Sequence, residues 1–190
     1  MVQKRNLDLD KIIDQATKLI SEKGLSATTL PPLAKALNVR SHSLYHYVSG
    51  RKQLLSLVGA REIKILRHQL MDDLIGLSGR DALLKFADTV RDFLLSDQAL
   101  SSILYHLNEY PKDAAISQEI LDLIKLGERL NFRKESAISF HALIGAVLGY
   151  VFLDNSSSFV DETKDESNRN YHEMILRLVE PVPELQIGRK

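Results

Sequence analysis

Apolar residues recur at three- and four-residue intervals along almost the whole chain, and nowhere is strand-type alternation convincing. That period is the signature of helices with one buried face, so the fold class expected is all-α. Ile12, Ile13, Ala16, Leu19 and Ile20 form the first stripe, with Asp8 or Asp10 placed to cap it and Gly24 just past its end. Thr28 or Thr29 can cap a second helix whose first turn holds Pro31 and Pro32, where the amides lack helical partners anyway. Leu33, Ala34 and Leu37 would be its buried face. Asn38-Val39 breaks the pattern, because asparagine tolerates left-handed backbone. A short helix is expected over about residues 41–47 with Ser41 as N-cap, then a turn at Ser49-Gly50 and a long helix over about 51–75.

Beyond a break at residues 76–79, helices are expected over 81–95, 97–107, 113–130, 133–153 and 166–179, with Asn131 a candidate cap and a polar loop at 155–165. The most apolar stretch, residues 138–153, is shorter than the roughly 20 residues a membrane span needs, and His141 interrupts it. The start of the chain carries no apolar run of the kind a secretory signal needs, and no cysteine occurs. A cytoplasmic protein without a membrane segment is the expectation. Apolar residues make up 44% of the 190, enough for a real core.

The formal charge is zero, but it averages two unlike parts. Residues 1–55 hold nine Lys/Arg against four Asp/Glu; residues 56–190 hold sixteen against twenty-one. Between Glu22 and Glu62 no acidic residue occurs, while six basic ones do. The asymmetry assigns a polyanion partner to the N-terminal part. Residues 37–55, LNVRSHSLYHYVSGRKQLL, combine donors and aromatics without a carboxylate.

Two short helices joined by a tight turn, the second rich in donors, form a helix-turn-helix. The first residues of the second helix, Arg40, Ser41, His42 and Ser43, would face base edges in the major groove of double-stranded DNA. Tyr45, Tyr47, Arg51 and Lys52 could donate to phosphates, which fixes register without reading sequence. A carboxylate here would meet phosphate and oppose binding.

Residues 12–55 resemble the DNA-binding domain of the TetR family of bacterial transcriptional regulators. The likeness lies in A-x-x-L-I-x-x-K-G at residues 16–24, A-T-T at 27–29, L-A-x-x-L-x-V at 33–39 and S-L-Y-x-Y-V-x-x-R-x-x-L-L at 43–55. The resemblance implies a DNA-binding domain at 1–55 and a helical effector-binding and dimerisation domain at 56–190. It also implies a homodimer on a pseudo-palindromic operator, released when a small molecule binds. Residue by residue, it places Tyr45, Tyr47 and Arg51 on phosphates, Thr29 at the start of the helix meeting the backbone, and residues 40–43 on bases. Pro31-Pro32 stands where the family often has a charged side chain, and Tyr47 where histidine or phenylalanine is commoner, with His46 beside it.

Phe86, Val90, Phe93, Tyr105, His106 and His141 are the candidate wall of the effector pocket, mostly apolar with a few polar groups. Ala142, Gly145, Ala146 and Gly149 form a small-residue face on the most apolar helix, suited to close helix approach. The family's dimerisation through its last two long helices makes that face the candidate dimer interface, with a crossing inside one subunit as the alternative. His42 and His46 have metal-ligand spacing, but no third ligand stands near, so no metal is assigned. Phosphate-loop, nucleophile-elbow, zinc-protease and dinucleotide-glycine motifs are missing from the sequence. Neither an enzymatic activity nor a cofactor is expected.

Overall fold

The computed structural model describes residues 7–129, 139–156, 159 and 161–180. Among these the chain is helical throughout and falls into two compact units. The first comprises residues up to Leu66 together with Ser96–Leu123; the second comprises Arg67–Leu95 and the residues from Ile124 onward.

In the first unit, helix α1 (Leu9–Lys23) begins at Asp8, whose carboxylate accepts from Lys11 N at 2.9 Å. Its apolar stripe is buried as expected, each large side chain contributing roughly 1.5–3 kcal/mol. Gly24 ends the helix at φ 78°, its N–H donating to Ile20 O. Helix α2 (Leu30–Ala36) starts after Thr29, which is extended, and carries both prolines in its first turn. Thr28 is buried and donates to Gly24 O at 3.1 Å, so it closes the preceding turn. Asn38 takes φ 55°, the left-handed conformation its short polar side chain tolerates.

Helix α3 (Ser41–Leu44) is a single turn, shorter than the 41–47 expected. Arg40, not Ser41, occupies the N-cap position, and the backbone continues from Tyr45 as turns returning to His42 and Leu44. Helix α4 (Arg51–Asp73) follows and runs through both units. Its Gly59 meets helix α6 (Gln98–Leu104) and helix α7 (Ala115–Arg129) closely: an added Cβ would lie 2.5 Å from Ile116 and 3.1 Å from Ile103. Ser56 Oγ accepts from Ile116 N at 3.1 Å, which gives the first turn of α7 a partner from α4.

In the second unit, helix α5 (Gly79–Ser96) buries Leu83, Phe86, Ala87, Val90 and Leu94. Phe86 packs edge-on to Phe140 at 5.3 Å between ring centres. Helix α8 (Phe140–Asn155) starts later than the expected 133, because Ser139 is extended and its hydroxyl caps Ala142 N; Asn131 and Arg133 lie outside the described residues. Helix α9 (Lys164–Val179) opens with a reciprocal capping box between Thr163 and Glu166. Tyr171 anchors it, its hydroxyl donating to Ala87 O at 2.8 Å. Among the described residues no helix is long and apolar enough to cross a membrane.

Candidate nucleic-acid interface

Leu44 is fully buried and seats the single turn of α3 on the core of the first unit. Anchored there, the turn leaves Arg40 and His42 exposed, with Ser41 and Ser43 half-buried on either side of them. His42 packs its ring edge against that of His46, 5.6 Å between centres. Tyr45 is 56% exposed, so its ring is mostly outside the core and its hydroxyl points to no protein acceptor among the described bonds. Thr29 makes no capping bond with its side chain, which leaves its hydroxyl to another partner. Lys52 is exposed, its ammonium 3.4 Å from the carbonyl of Glu109.

Two residues expected at phosphates have their polar atoms engaged with protein. Tyr47 Oη donates to Leu7 O at 2.5 Å and ties the turn after α3 to the residue ahead of α1. Arg51 donates from Nε to Thr28 O at 2.9 Å and from Nη2 to Leu25 O at 2.7 Å. Its guanidinium therefore braces the loop between α1 and α2. Sequence spacing cannot reveal such a clamp, because the acceptors are backbone carbonyls about two dozen residues away.

Around this turn the charge is one-sided, since residues 37–55 carry no carboxylate. Nearer α1 the picture differs: Arg61 bonds Asp14 and lies 3.3 Å from Glu62, which also accepts from Thr17 at 3.4 Å. Burial pushes the Glu62 carboxyl above its usual range, Asp97 adds to the rise, and Arg61 opposes it.

A helix-turn-helix with its second helix exposed, basic at its start and free of acids defines a DNA-binding protein of the helix-turn-helix class. Residues 12–58 match the sequence profile of bacterial regulatory proteins, tetR family. The chain is 28% identical over 86 residues to YobS, an uncharacterized HTH-type transcriptional regulator of Bacillus subtilis strain 168, covering 45% of each chain. It is 47% identical over 45 residues to IcaR, the HTH-type negative transcriptional regulator of the biofilm operon icaADBC in Staphylococcus aureus strain Newman, covering 24% of each. The matches thus span less than half the length of these relatives. The whole fold is similar to a TetR variant from Acinetobacter baumannii AYE solved in complex with minocycline, at TM-score 0.70 and 20% identity, covering 92% of this chain and 95% of that one. Residues 12–58 thus form a helix-turn-helix DNA-binding domain of the kind found in bacterial regulatory proteins of the tetR family.

Of the candidate effector-pocket residues, four belong to the second unit and two to the first. Phe86 and Val90 are buried in the second unit with Phe93 half-buried beside them on α5. His141 is exposed at the start of α8. Tyr105 and His106 belong to the first unit, both exposed, with His106 Nδ1 3.1 Å from Glu109. On α8 the small residues are gathered: Ala142, Gly145 and Gly149 are exposed and Ala146 half-buried, away from the buried Leu143, Val147 and Val151. Among the described residues, a Cβ added at Gly145 or Gly149 would meet nothing within 4 Å.

Sequence reasoning missed a buried polar cluster. Arg91 on α5 is 6% exposed and bonds Asp154 and Asn168, with Tyr171 beneath its guanidinium at 4.5 Å. Its trace in the sequence is one arginine inside the apolar face of α5 and one aspartate at the end of the most apolar helix.

Proposed function

We propose that this regulator binds a pseudo-palindromic operator as a homodimer, in the cytoplasm, and is released from it by a small-molecule effector. The observation that carries the DNA part is the exposed, acid-free turn presenting Arg40, His42 and Tyr45 beyond the buried Leu44. Arg40, Ser41, His42 and Ser43 read bases, while Thr29, Tyr45 and Lys52 hold phosphates. Tyr47 and Arg51 act on DNA through the loops they brace. In this division residues 1–55 serve as the reading part and 56–190 as the effector-binding and pairing part.

Two-fold pairing is supported by the small-residue face of α8, since among the described residues no side chain fills the space above Gly145 and Gly149. Effector control follows from differential affinity: a ligand preferring the form with badly spaced heads shifts the population off DNA, by no more than that difference. That a relative is a negative regulator and a protein of similar fold binds minocycline agrees with a ligand-released repressor.

Selection from random duplexes tests the reading. A two-fold motif should be enriched, and affinity for it should fall steeply with salt as phosphate contacts release counterions. Enrichment of no motif, or binding indifferent to salt, would instead indicate a helical interaction module.

A further inference from the structure

Within the second unit, the C-terminal half of α5, the end of α8 and the start of α9 line an open cleft of about 380 Å³. That lies in the roughly 300–1,000 Å³ range of small-molecule pockets. Leu95, Leu153 and Phe159 give it an apolar wall, and Arg91 stands among its polar lining. Arg91 Nη2 donates to Asp154 Oδ2 and Nη1 to Asn168 Oδ1, both at 2.9 Å. Its Nε is buried without a hydrogen-bond partner, a donor stripped of water and left uncompensated.

The carboxylates lining the cleft are already engaged. Ser167 Oγ donates to Asp154 Oδ1 at 2.6 Å, and Asn170 Nδ2 donates to Glu162. Lys164, exposed in the first turn of α9, pairs with no carboxylate among the described residues. Beside the apolar wall Arg91 Nε is thus left without an acceptor and Lys164 without a carboxylate, and a fitting ligand brings acceptors and an apolar body.

We propose that this cleft binds an amphipathic organic acid, its carboxylate taken by Arg91 and Lys164 and its body laid on Leu95, Leu153 and Phe159. The assignment rests on the effector-released regulator described above and gives its effector a chemical class and a place. A carboxylate reaching Arg91 competes with Asp154, the residue that holds the end of α8 to α5, while Asn168 holds α9 to the same guanidinium. Occupancy is thus felt first by α8, whose small-residue face is proposed to pair across the dimer, and by α9.

Octanoate, 1-octanol and octylammonium share one apolar chain and differ in head group. In calorimetric titrations of the full chain, octanoate should bind about tenfold or more tightly than the other two, as charge-assisted bonds require. Equal binding of the alcohol, or tighter binding of the amine, would overturn the assignment. Lys164→Gln, at an exposed position, should weaken octanoate several-fold without unfolding the protein. Arg91→Lys keeps the charge but loses the planar fork, and should weaken it further. Wild-type octanoate affinity in Lys164→Gln would defeat the proposal even where Arg91→Lys fails to fold. A second arm adds octanoate to the protein on its selected operator. Release supports the cleft as the regulatory site; Arg91-dependent octanoate binding with DNA retained would overturn that link alone. Octanoate binding by a protein that selects no duplex would overturn the DNA reading and leave the cleft assigned.

Discussion

Arg51 Nη2 donates to the carbonyl oxygen of Leu25 at 2.7 Å, joining the first turn of α4 to the loop after α1. With the Nε bond to Thr28, one planar fork satisfies two carbonyls of that loop, which a lysine ammonium cannot copy in geometry. Arg51→Ala should cost about 1–3 kcal/mol, seen as a lower midpoint in urea unfolding, because both carbonyls lose a charged donor. Arg51→Lys should recover only part. An alanine variant with the wild-type midpoint and weakened DNA binding would return Arg51 to a phosphate.

Reading and positioning separate at Arg40 and Tyr45. Arg40 is exposed at the N-cap of α3, the position proposed above to meet a base edge. Arg40→Ala should relax preference at one operator position and cost about 1–3 kcal/mol there. Tyr45→Phe removes one exposed hydroxyl and should weaken all duplexes alike. Measured on a panel of single-base operator variants, uniform loss in Arg40→Ala would move the reading residues off this turn.

Glu62 gives the first unit a pH dependence of known sign. Burial first, then Asp97, raises its carboxyl above the ordinary value of 4.5, so the folded state binds a proton more readily than the unfolded one. The stability it contributes is complete below about pH 4.5 and is lost as pH rises through the folded value. Glu62→Gln keeps an acceptor for Arg61 and Thr17 and a donor for Asp97 without the buried charge. Its melting temperature should exceed that of the wild type at pH 7, and the two should converge near pH 4. A wild type that melts higher at pH 7 would show the Arg61 pair outweighing desolvation.

The local grammar of the head was open to reading in advance, and the reasons are local. Gly24 and Asn38 mark turns because few residues accept the positive φ found there, and the prolines of α2 fit only its first turn. Helix α3 is shorter than its pattern predicts: after one turn the amides of Tyr45, Tyr47 and Val48 bond back to His42 and Leu44 as turns, with Leu44 buried beneath them. Long-range partners were beyond the pattern. Arg51 looks the same in sequence whether it meets phosphate or the carbonyls of Leu25 and Thr28. Residue type alone groups Tyr105 and His106 with Phe86, and it carries no information on the unit each belongs to, the first for Tyr105 and His106 and the second for Phe86. Arg91 and Asp154, 63 residues apart, meet only once α5 and α8 are in place.

Gly149 is the sharpest probe of assembly. It is exposed, and a Cβ there meets nothing within 4 Å among the described residues of its own subunit. Inside one chain, Gly149→Leu should even favour helix α8, because glycine is roughly 1 kcal/mol worse than a good helix former. Any loss must therefore come from a partner's backbone held too close for a leucine, an overpacking that costs about 1–3 kcal/mol in a well-packed contact. Counted once on each side of a two-fold interface, that penalty should shift the variant from dimer toward monomer at micromolar concentration in sedimentation velocity. Operator affinity should fall with it, since one head alone spans a single half-site, while helical content by circular dichroism stays at the wild-type level. A wild type that sediments as a monomer would remove the interface altogether. A dimeric Gly149→Leu with normal operator affinity would move it to another face of α8 or to α9.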